Sequence, residues 1–507
     1  MTDTDVIIVG AGPVGLMLAG DLSRSGVRTL ELEKRTEINE TPKAGGLSGQ
    51  ILDLLRYRGQ IERFEAAGGP RPIPIFPWGG LHVDMTSLDV SPMQALPLPQ
   101  PEMERLLAEI AMETGTEIRR GHEVVALTQD TETVTVDVNG PDGTYAVSAR
   151  YLVGCDGSRS RIRDLADIPF PGTTYPEIQR IGSFTAPEGV TILENRDIEV
   201  EGVGRIPFGF TPTERGIFAL GSVDPTLVGV FTSEEETDDY DDEVWLTKEE
   251  MSASIQRVLG VEIPLGEPRR LTRFTFHARL AERYVDGRVF LAGDAAHLFP
   301  APGVPLNAGL MDTVNLAWKL TAAIEGWAPD GLLATYHDER YAAGERTMLH
   351  TQAQVALRRG HDEAADALRA VLQELLADEP AVHRMAALIA GSDIRYPSPD
   401  PDAHPSTGTF APDLALCTDE GTTSVAQLMH ASRPVLLVLA DRPDLVDAAV
   451  AWQHRVDLVL AEADDRPADA ILIRPDCVIA WAATVDEPAD TDPAALQHAL
   501  ATWFGTP

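Results

Sequence analysis

The sequence predicts an α/β protein with a parallel-sheet domain, an antiparallel sheet inserted into it and a small α/β domain at the end of the chain. Three observations lead to this prediction. A β-branched apolar run and a glycine-rich loop open the chain. Short alternating runs follow, and strands and helices alternate again after a proline-rich linker. We expect the first domain at residues 1–170 and 276–395, the inserted sheet at 171–275 and the last domain at 402–507.

Composition excludes several classes of protein. The 507 residues carry 41 basic and 79 acidic side chains, a formal charge of −38, which disfavours nucleic acid and anionic membrane surfaces as partners. We find no apolar run that would span a membrane and no basic leader, so we expect a cytoplasmic protein. We interpret the acidic run from Glu234 to Glu243 as a solvated loop.

The three cysteines are widely spaced and form no CxxC pair. Their spacing matches neither a disulfide framework nor a metal-ligand pattern, so we expect no metal site. We interpret Cys417 and Cys477 as buried, small apolar residues.

The first motif follows the apolar strand Val6–Val9. Its glycines in Gly10-Ala11-Gly12-Pro13-Val14-Gly15 suit a tight turn, close approach to a pyrophosphate and helix packing. A helix over 16–22 and a strand over 29–32 complete a Rossmann-like unit, in which the helix amino terminus favours phosphates. Glu33 ends the second strand and is expected to bind a ribose 2′-hydroxyl, whereas Glu31 is expected to face away.

Two further motifs follow predicted strands. Asp156-Gly157, with Ser160 and Arg163, comes after the strand 151–154. Gly293-Asp294 comes after the strand 288–292, which returns the chain to the first domain.

Together the three motifs resemble the fingerprints of the FAD-dependent aromatic monooxygenases, the para-hydroxybenzoate hydroxylase group. The segments 151–163, 287–297 and 312–320 are especially similar to the subgroup that acts on polycyclic aromatic polyketides. Arg474-Pro475-Asp476 and the terminal helix resemble that subgroup's thioredoxin-like C-terminal domain. Since every FAD motif lies before that domain, its removal is expected to leave flavin binding intact.

The resemblance implies a set of cofactor contacts. The pyrophosphate would lie against Gly10, Gly12, Pro13, Val14 and Gly15, and the adenosine ribose against Glu33. The remaining contacts implied are Gln100 with the ribityl chain, Val125 with the adenine through its backbone, Asp156 with the FAD pocket and the path of NAD(P)H, Asp294 with the ribitol, and the Leu306 and Asn307 amides with the flavin N1–C2=O2 edge.

The implied activity is an oxygenation. NADH or NADPH would reduce FAD, O2 would form a flavin C4a-hydroperoxide, and one oxygen atom would enter a polycyclic aromatic substrate, most simply as a hydroxyl group. We nominate no catalytic side chain, since His297 suits either an acid–base or a structural role. Trp78, Phe208 and Phe210 are expected to line the substrate cavity between flavin and antiparallel sheet. A homodimer is one option for its assembly.

Two departures from the family pattern leave alternatives open. Lys43 stands where the family usually has arginine, so a planar, bidentate contact is lost. The loop Pro300-Ala301-Pro302-Gly303-Val304-Pro305 is shorter and poorer in glycine than the family's, with Pro305 suited to the first position of a helix. Because this loop would lie beside the flavin ring, Baeyer–Villiger oxygenation is the second candidate. A halogenase or simple oxidoreductase, and a flavin-binding protein without oxygenase activity, are further alternatives.

Overall fold

The computed structural model shows a mixed α/β fold of helices packed on several sheets. Among the described residues, none of the helices combines the length and apolar character needed to cross a membrane. The structure describes residues 2–40, 43–72, 74–195, 197–221, 227–235, 246–301, 303–360, 362–398, 400–486 and 492–507.

The elements up to residue 165 include the predicted βαβ unit. They are β1 (Val6–Val9), α1 (Pro13–Arg24), β2 (Thr29–Glu33), β3 (Gly46–Ser48), α2 (Gln50–Tyr57), α3 (Ile61–Ala67), β4 (Ile75–Trp78), β5 (Leu81–Asp84), β6 (Ala95–Pro97), α4 (Gln100–Glu113), β7 (Glu117–Arg120), β8 (Glu123–Gln129), β9 (Val134–Gly140), β10 (Gly143–Ala149), β11 (Tyr151–Gly154) and α5 (Arg161–Leu165). Helix α1 begins three residues before the expected Leu16, because Pro13 supplies a helical φ and lacks only an amide that the first turn leaves unpaired.

The next elements are mostly strands. They are β12 (Gly172–Thr185), β13 (Val190–Ile192), β14 (Ile198–Val200), β15 (Gly204–Ile206), β16 (Gly209–Thr213), β17 (Gly216–Leu220), β18 (Leu227–Glu235), α6 (Lys248–Leu259), β19 (Pro268–Leu280), β20 (Val285–Asp286), β21 (Val289–Leu291) and β22 (His297–Leu298). A 3-10 turn over Gly293–Ala295 separates β21 from β22.

Helices dominate the following segment, and a small α/β unit closes the chain. The elements are α7 (Pro305–Glu325), α8 (Thr335–Arg359), α9 (Glu363–Leu375), α10 (Glu379–Ala390), β23 (Ala415–Thr418), β24 (Gly421–Ser424), α11 (Val425–Leu428), β25 (Val435–Val438), α12 (Pro443–Ala449), β26 (Asp457–Leu460), β27 (Ala470–Ile473), β28 (Ile479–Ala483) and α13 (Asp492–Phe504). Pro305 is the first residue of α7, which confirms the prediction for this proline.

The first large sheet has the strand order β20-β21-β11-β1-β2-β7. Its strands run parallel from β21 to β7, and only β20 is antiparallel to its neighbour. The first three side chains of β1, Val6, Ile7 and Ile8, are fully buried, as the continuous apolar run predicts. This sheet brings the carboxyl ends of β21, β11 and β1 together at one edge.

The second large sheet is antiparallel, with the order β16-β17-β18-β12-β19-β22. One face packs on α6 through Phe184, Val230, Met251 and Ile255, all buried. The long strand β19 continues to Leu280, and β22 adds His297–Leu298, so this sheet reaches the segment just after Gly293-Asp294.

The interpretation of the acidic run is wrong at its first residue. Glu234 lies in β18 and is only 5% exposed. Its carboxylate accepts hydrogen bonds from Arg180, Ser254 and Arg257 at 2.5–3.1 Å, and this compensates its burial. The rest of the run from residue 236 lies outside the described residues.

The C-terminal unit contains a four-stranded sheet in the order β26-β25-β27-β28. Its apolar side chains, including Leu437 and Ile471, belong to the same core as Leu55 and Leu107 of the amino-terminal segments. Cys477 is buried in this core, but Cys417 is exposed on the hairpin β23–β24, so the expectation that Cys417 is buried is wrong. The preceding residue of β23, Leu416, faces the core instead, because successive side chains of a strand point to opposite faces.

Candidate active site

The three sequence motifs meet at one edge of the parallel sheet. Gly10 follows β1, Asp156 follows β11 and Gly293 follows β21, and these strands are neighbours. The motifs also touch. An ideal Cβ placed on Gly293 would lie 3.0 Å from Val14 in the glycine loop, and Arg163 Nη1 donates to the carbonyl of Ala295, 3.1 Å away. Residues far apart in sequence therefore form a single site.

The glycine loop has the shape of a phosphate cradle. Gly10 has a φ of +106°, and a Cβ there would lie 2.5 Å from the carbonyl oxygen of Cys155. A Cβ on Gly15 would lie 2.0 Å from the carbonyl oxygen of Gly10. At the N-cap Gly12, by contrast, a Cβ would meet no atom within 4 Å. Open space therefore adjoins the first-turn amides of α1, where an anion is favoured.

Glu33 and Glu31 lie on the same side of β2, so the expectation that Glu31 faces away is wrong. Residues two apart in a strand share a face. Glu33 accepts hydrogen bonds from the amides of Ala11, at 2.9 Å, and Arg35, at 2.8 Å, which holds its carboxylate beside the glycine loop. Glu31 lies deeper, its Oε1 2.9 Å from an ideal Cβ on Gly15. Burial raises the pKa of Glu31 well above its ordinary value.

Asp156 organises the turn after β11. Its carboxylate accepts hydrogen bonds from the Ser160 hydroxyl at 2.5 Å and from the amides of Arg161 and Ile162 at 2.6 and 3.1 Å. Burial raises the pKa of Asp156, and these hydrogen bonds oppose the rise. The side chain thus holds the start of α5, which carries Arg163 toward Ala295.

Val125 occupies an irregularity of β8. The pairing with β9 shifts register between Val124 and Ala126, which leaves Val125 outside the regular ladder. Its carbonyl accepts a hydrogen bond from Arg161 at 3.3 Å. A backbone released from the ladder in this way is available to a ligand, which suits the contact with adenine that the resemblance implies.

Asp294 is half-buried at the turn after β21. Burial raises its pKa, while His297 and Lys43 oppose the rise. Close packing fixes the turn: a Cβ on Gly309 of α7 would lie 2.9 Å from the Cα of Gly293. The first turns of α7 therefore press directly on this loop.

Asp312 is a site residue that the sequence interpretation missed. Its Oδ2 accepts hydrogen bonds from the amide of Gly293 at 2.9 Å and from His297 Nε2 at 2.7 Å. Its Oδ1 accepts from Arg340 Nε at 2.7 Å. Burial would raise the pKa of Asp312, but His297, Arg340 and these hydrogen bonds hold it below the ordinary value. In the sequence, the only signal for Asp312 is the similarity of the whole segment 312–320 to the family, which does not single out this residue.

His297 has a structural partner. Besides its bond to Asp312, its ring stacks on Phe299 with centroids 4.7 Å apart, and it is 1% exposed. The imidazole joins α7 to the turn that carries Asp294.

Side chains from α4 and β19 hold the segment that begins at Lys43. Gln100 accepts a hydrogen bond from the amide of Ala44 at 3.2 Å and donates to Glu104 at 2.7 Å. Arg270, from the antiparallel sheet, donates to the carbonyl of Lys43 at 3.0 Å. The Lys43 side chain is exposed.

Asn307 fixes the start of α7 relative to β3. Its Oδ1 accepts from the amide of Ser48 at 3.0 Å, and its Nδ2 donates to the carbonyl of Gly303 at 2.6 Å. Leu306, beside it, is half-buried. Gly303 adopts a φ of +80°, and Arg358 donates to the carbonyl of Pro300 at 3.0 Å. These contacts hold both ends of the shortened loop, in which Pro302 lies outside the described residues.

A cavity extends from this loop between α8 and α10. Its polar lining includes Ser48, Gln50, Asn307, Thr347 and His350, and its apolar lining includes Ile51, Phe76, Met93, Met311, Ile389 and Ile394.

The face of the antiparallel sheet opposite α6 carries aromatic side chains. Cross-strand partners share a face, which places Phe210, Ala219, Phe231, Ile181 and Thr272 in one row across five strands. The rings of Phe210 and Phe231 meet edge to face at 6.2 Å. These side chains are half-buried apart from Ala219, so the face is partly open to a ligand.

The other two expected substrate residues lie elsewhere. Trp78 is 6% exposed and packs in an apolar cluster with Val83, Leu357 and Ala386. Phe208 is 39% exposed, and its amide donates to Asp197 at 2.7 Å. The structure thus groups Phe210 with the open sheet face and separates Trp78 from it.

Two family models match the chain. Residues 3–351 match an FAD binding domain, and residues 404–507 match the C-terminal domain of an aromatic-ring hydroxylase. A 12-dehydrotetracycline 5-monooxygenase/anhydrotetracycline 6-monooxygenase of Streptomyces rimosus is 40% identical over 99% of both chains.

Two further relatives are similar over the full length. The crystal structure of CabE, an aromatic hydroxylase from angucycline biosynthesis, superimposes with a TM-score of 0.87 at 35% identity and covers 100% of both chains. A dialkyldecalin synthase of Streptomyces rugosporus is 36% identical over 100% of this chain and 99% of its own. The match over both family models, together with the motifs that converge on one sheet edge, shows that the chain belongs to the FAD-dependent aromatic-ring monooxygenases.

Proposed function

We propose that the protein uses NAD(P)H and O2 to hydroxylate a polycyclic aromatic polyketide in natural-product biosynthesis. The balanced reaction joins one oxygen atom to a ring carbon: substrate–H, O2, NAD(P)H and a proton give substrate–OH, NAD(P)⁺ and water. The observation that carries the proposal is the convergence of the glycine loop, Asp156 and Asp294 on one edge of the parallel sheet. The face of the antiparallel sheet that carries Phe210 and Phe231 is linked to this region by Arg270, which donates to the carbonyl of Lys43. Relatives named for tetracycline and angucycline chemistry support the substrate class.

The residues at this edge fit FAD. Gly10 leaves no room for a side chain, Gly12 borders open space, and the half-buried Asp294 has a carboxylate that can accept a hydrogen bond from a hydroxyl group. We assign the pyrophosphate to residues 10–15, the adenosine ribose to Glu33, the adenine to the Val125 backbone and the ribitol to Asp294. When bound and reduced, FAD supplies the activation of O2.

The protein's own contribution is binding, orientation and electrostatics. We assign the amides of Leu306 and Asn307, at the start of α7, to the flavin N1–C2=O2 edge, where backbone donors and the helix dipole stabilise negative charge. Gln100 acts on the Lys43–Gly46 segment, since it binds the amide of Ala44. Asp156 acts mainly through the turn it caps, which stands at the entrance that we assign to NAD(P)H.

The substrate would lie between flavin and the antiparallel sheet. Flat rings suit the half-open face of Phe210 and Phe231, where edge-to-face and offset contacts are available. We assign Phe208 to the rim of the substrate site because it is exposed. We assign Trp78 to a position behind Phe76, which lines the cavity.

We also propose the three-part organisation of the chain. Residues 1–170 with 276–395 would form the FAD-binding domain of Rossmann-like topology, 171–275 the substrate sheet, and 402–507 a thioredoxin-like domain. Membership of the two large sheets supports the first division, except that β19 runs on to Leu280 and β22 (His297–Leu298) also joins the antiparallel sheet. The sheet order β26-β25-β27-β28 with α12 and α13 supports the last division.

Baeyer–Villiger oxygenation is the second candidate. The compact 300–305 loop favours it, because Arg358 and Asn307 fix that loop close to the position assigned to the flavin ring. This reaction would insert the oxygen atom between a ketone carbon and its neighbour.

Product analysis distinguishes the two reactions. The FAD-loaded enzyme is incubated with NADH or NADPH and a panel of tetracycline-, angucycline- and anthracycline-type aromatics, with catalase present to remove free peroxide. We expect nucleotide oxidation coupled to a product that is heavier by one oxygen atom and stable in mild base. A product that mild base hydrolyses identifies an ester or lactone and the second reaction. Nucleotide oxidation with no oxygenated product from any substrate would contradict both.

A further inference from the structure

The cavity between α8 and α10 is lined by a buried imidazole, and the described part of the fold leaves one of its ring nitrogens without a partner. His350 lines this cavity and is 5% exposed. Within the part of the chain that the structure describes, its Nδ1 has no hydrogen-bond partner. Burying a polar atom without a partner destabilises a fold, so such an atom in a native protein calls for a ligand or a water molecule.

The neighbouring polar side chains differ from His350 in this respect. Asn307 is bound to Ser48 and Gly303, and Arg340 is bound to Asp312 and Tyr396. The Thr347 hydroxyl, one turn before His350, donates to the carbonyl of Ala343 at 2.8 Å. These groups hold the wall in place, and the imidazole remains available to an occupant.

The chemistry of the imidazole defines what it can bind. Burial, reinforced by the positive charge of Arg346, lowers the pKa of His350 to about 4. The ring is therefore neutral near pH 7, with one donor and one acceptor nitrogen. A neutral ring suits a hydroxyl or keto oxygen rather than a carboxylate, which would need a positive partner.

We propose that His350 is a specificity-determining residue that hydrogen-bonds a hydroxyl substituent on the substrate's aromatic ring system, because a hydroxyl group can donate or accept whichever ring nitrogen carries the proton. The cavity begins at Gly303, Val304 and Asn307, beside the position assigned to the flavin edge, so a ligand held here stays next to the cofactor. The apolar side chains Phe76, Met93 and Ile389 line the same cavity and would cover the faces of the substrate's aromatic rings. This inference rests on the proposed function for the identity of the occupant, but it concerns binding alone.

Binding of two probes to the FAD-loaded enzyme tests the inference. The probes are 2-hydroxyanthraquinone and anthraquinone, which share the ring system and both keto groups and differ only in one hydroxyl group that forms no internal hydrogen bond. Dissociation constants are measured by flavin difference absorbance at pH 7. We expect the wild type to prefer the hydroxylated probe by about tenfold, the equivalent of about one good hydrogen bond.

The variants separate recognition from a structural role. His350→Leu keeps an apolar side chain of similar size, and it is expected to abolish the preference while anthraquinone binds as well as before. His350→Gln keeps one donor and one acceptor, and it is expected to restore part of the preference. Gln354→Leu is the matched control, because Gln354 lies one turn further along α8 with a buried, unpartnered Nε2 but does not line the cavity. Its preference should equal that of the wild type.

Three outcomes would overturn the inference. If His350→Leu retains the preference, the imidazole holds only an internal water. The other two outcomes are the absence of any preference in the wild type and the loss of FAD from both His350 variants. The test is independent of turnover. A probe preference that depends on His350, in an enzyme that oxygenates no aromatic compound, would support this site and contradict the proposed function.

Discussion

Asp312 and Arg340 form a buried ion pair that connects α7 to α8 beside the turn that carries Asp294. The distance from Oδ1 to Nε is 2.7 Å, and the two side chains are 0% and 4% exposed. The other carboxylate oxygen holds the amide of Gly293 and the imidazole of His297. One carboxylate with three partners therefore links α7 and α8 to the turn that carries Asp294.

Asp312→Asn tests this role. The amide side chain cannot neutralise Arg340 and cannot accept all three hydrogen bonds, so we expect a loss of stability of about 3 kcal/mol or more and weaker FAD binding. Urea unfolding and fluorescence titration of the apoprotein with FAD measure the two effects. Asp338→Asn, at an exposed position of α8, is the control and should change neither. Equal behaviour of the two variants would refute the role of Asp312.

Asp294→Ala tests the assigned contact with the ribitol. Loss of one hydrogen bond from a carboxylate costs about 1.5–3 kcal/mol, so FAD affinity should fall about ten- to hundredfold. Flavin retained after gel filtration gives a direct measurement. Asp330→Ala, at an exposed position, should retain FAD as the wild type does. Full retention of FAD by Asp294→Ala would remove the residue from the site.

The pH dependence of stability should report on Glu339. Although burial opposes it, the positive charges of Arg474 and Lys319 lower the pKa of Glu339 to about 2. A carboxyl group whose pKa is lower in the folded state stabilises the protein above its unfolded value near 4.5, and this contribution disappears as pH falls towards 2. Urea midpoints should therefore fall between pH 5 and 3 in the wild type and fall less steeply in Glu339→Gln. The exposed Glu345→Gln is the control and should keep the wild-type slope.

Local signals explain what the sequence could predict. The strand, glycine loop, helix and second strand follow one another within the first 33 residues. Short-range patterns are therefore enough to predict this part of the parallel sheet. Strand β12 carries the buried Arg180, whose charge is compensated by Glu234 and Glu250, so an alternating apolar pattern does not mark this part of the strand. The expectation for Glu31 is wrong because residues two apart in a strand lie on the same face, so Glu31 lies on the side of β2 that carries Glu33. Asp312 could not be assigned, because its three partners come from two other segments of the chain.

The relation of the C-terminal unit to the rest also escaped prediction. A proline-rich linker and the absence of FAD motifs suggested a removable domain. In the structure, Arg474 pairs with Glu339 and Asp476, and Tyr57 donates to the carbonyl of Ala411 at 2.8 Å. Asn315 donates to both Glu339 and Asp476, so the contact includes α7 as well as α8.

Removal of residues 402–507 is therefore expected to unfold the protein or make it insoluble, since it exposes a shared core and leaves Glu339 without Arg474. Arg474→Ala is a milder test, for which we expect a loss of about 3–5 kcal/mol because two buried carboxylates lose their partner. Arg433→Ala removes a half-exposed pair with Asp457 and should cost at most about 1 kcal/mol. A soluble truncated protein with a normal flavin spectrum would show that the unit is separable after all.

The last prediction concerns the two departures from the family pattern, Lys43 and the 300–305 loop. Arg358 holds the carbonyl of Pro300, and Asn307 holds that of Gly303, so both ends of the loop are fixed and the number of residues between them determines its path. Replacing the loop by a Pro-Thr-Gly-Gly type sequence with one inserted residue should change the rate of NAD(P)H oxidation or the yield of oxygenated product. We expect at least a severalfold effect, because one aligned donor in such a site contributes about 1–3 kcal/mol.

Lys43→Arg should be made alone and in combination with the loop replacement. Lys43 acts on Asp294 electrostatically, and both changes affect one cofactor, so their effects need not add. Stopped-flow reduction, coupling of nucleotide to product and product mass should be measured for each single variant and for the double variant. A double-variant effect that differs from the sum of the single effects would show that the loop and residue 43 act together on the flavin. Identical rates, coupling and products in all variants would show that both departures are neutral. The geometric argument for Baeyer–Villiger chemistry would then be lost, and hydroxylation would stand as the simpler reaction.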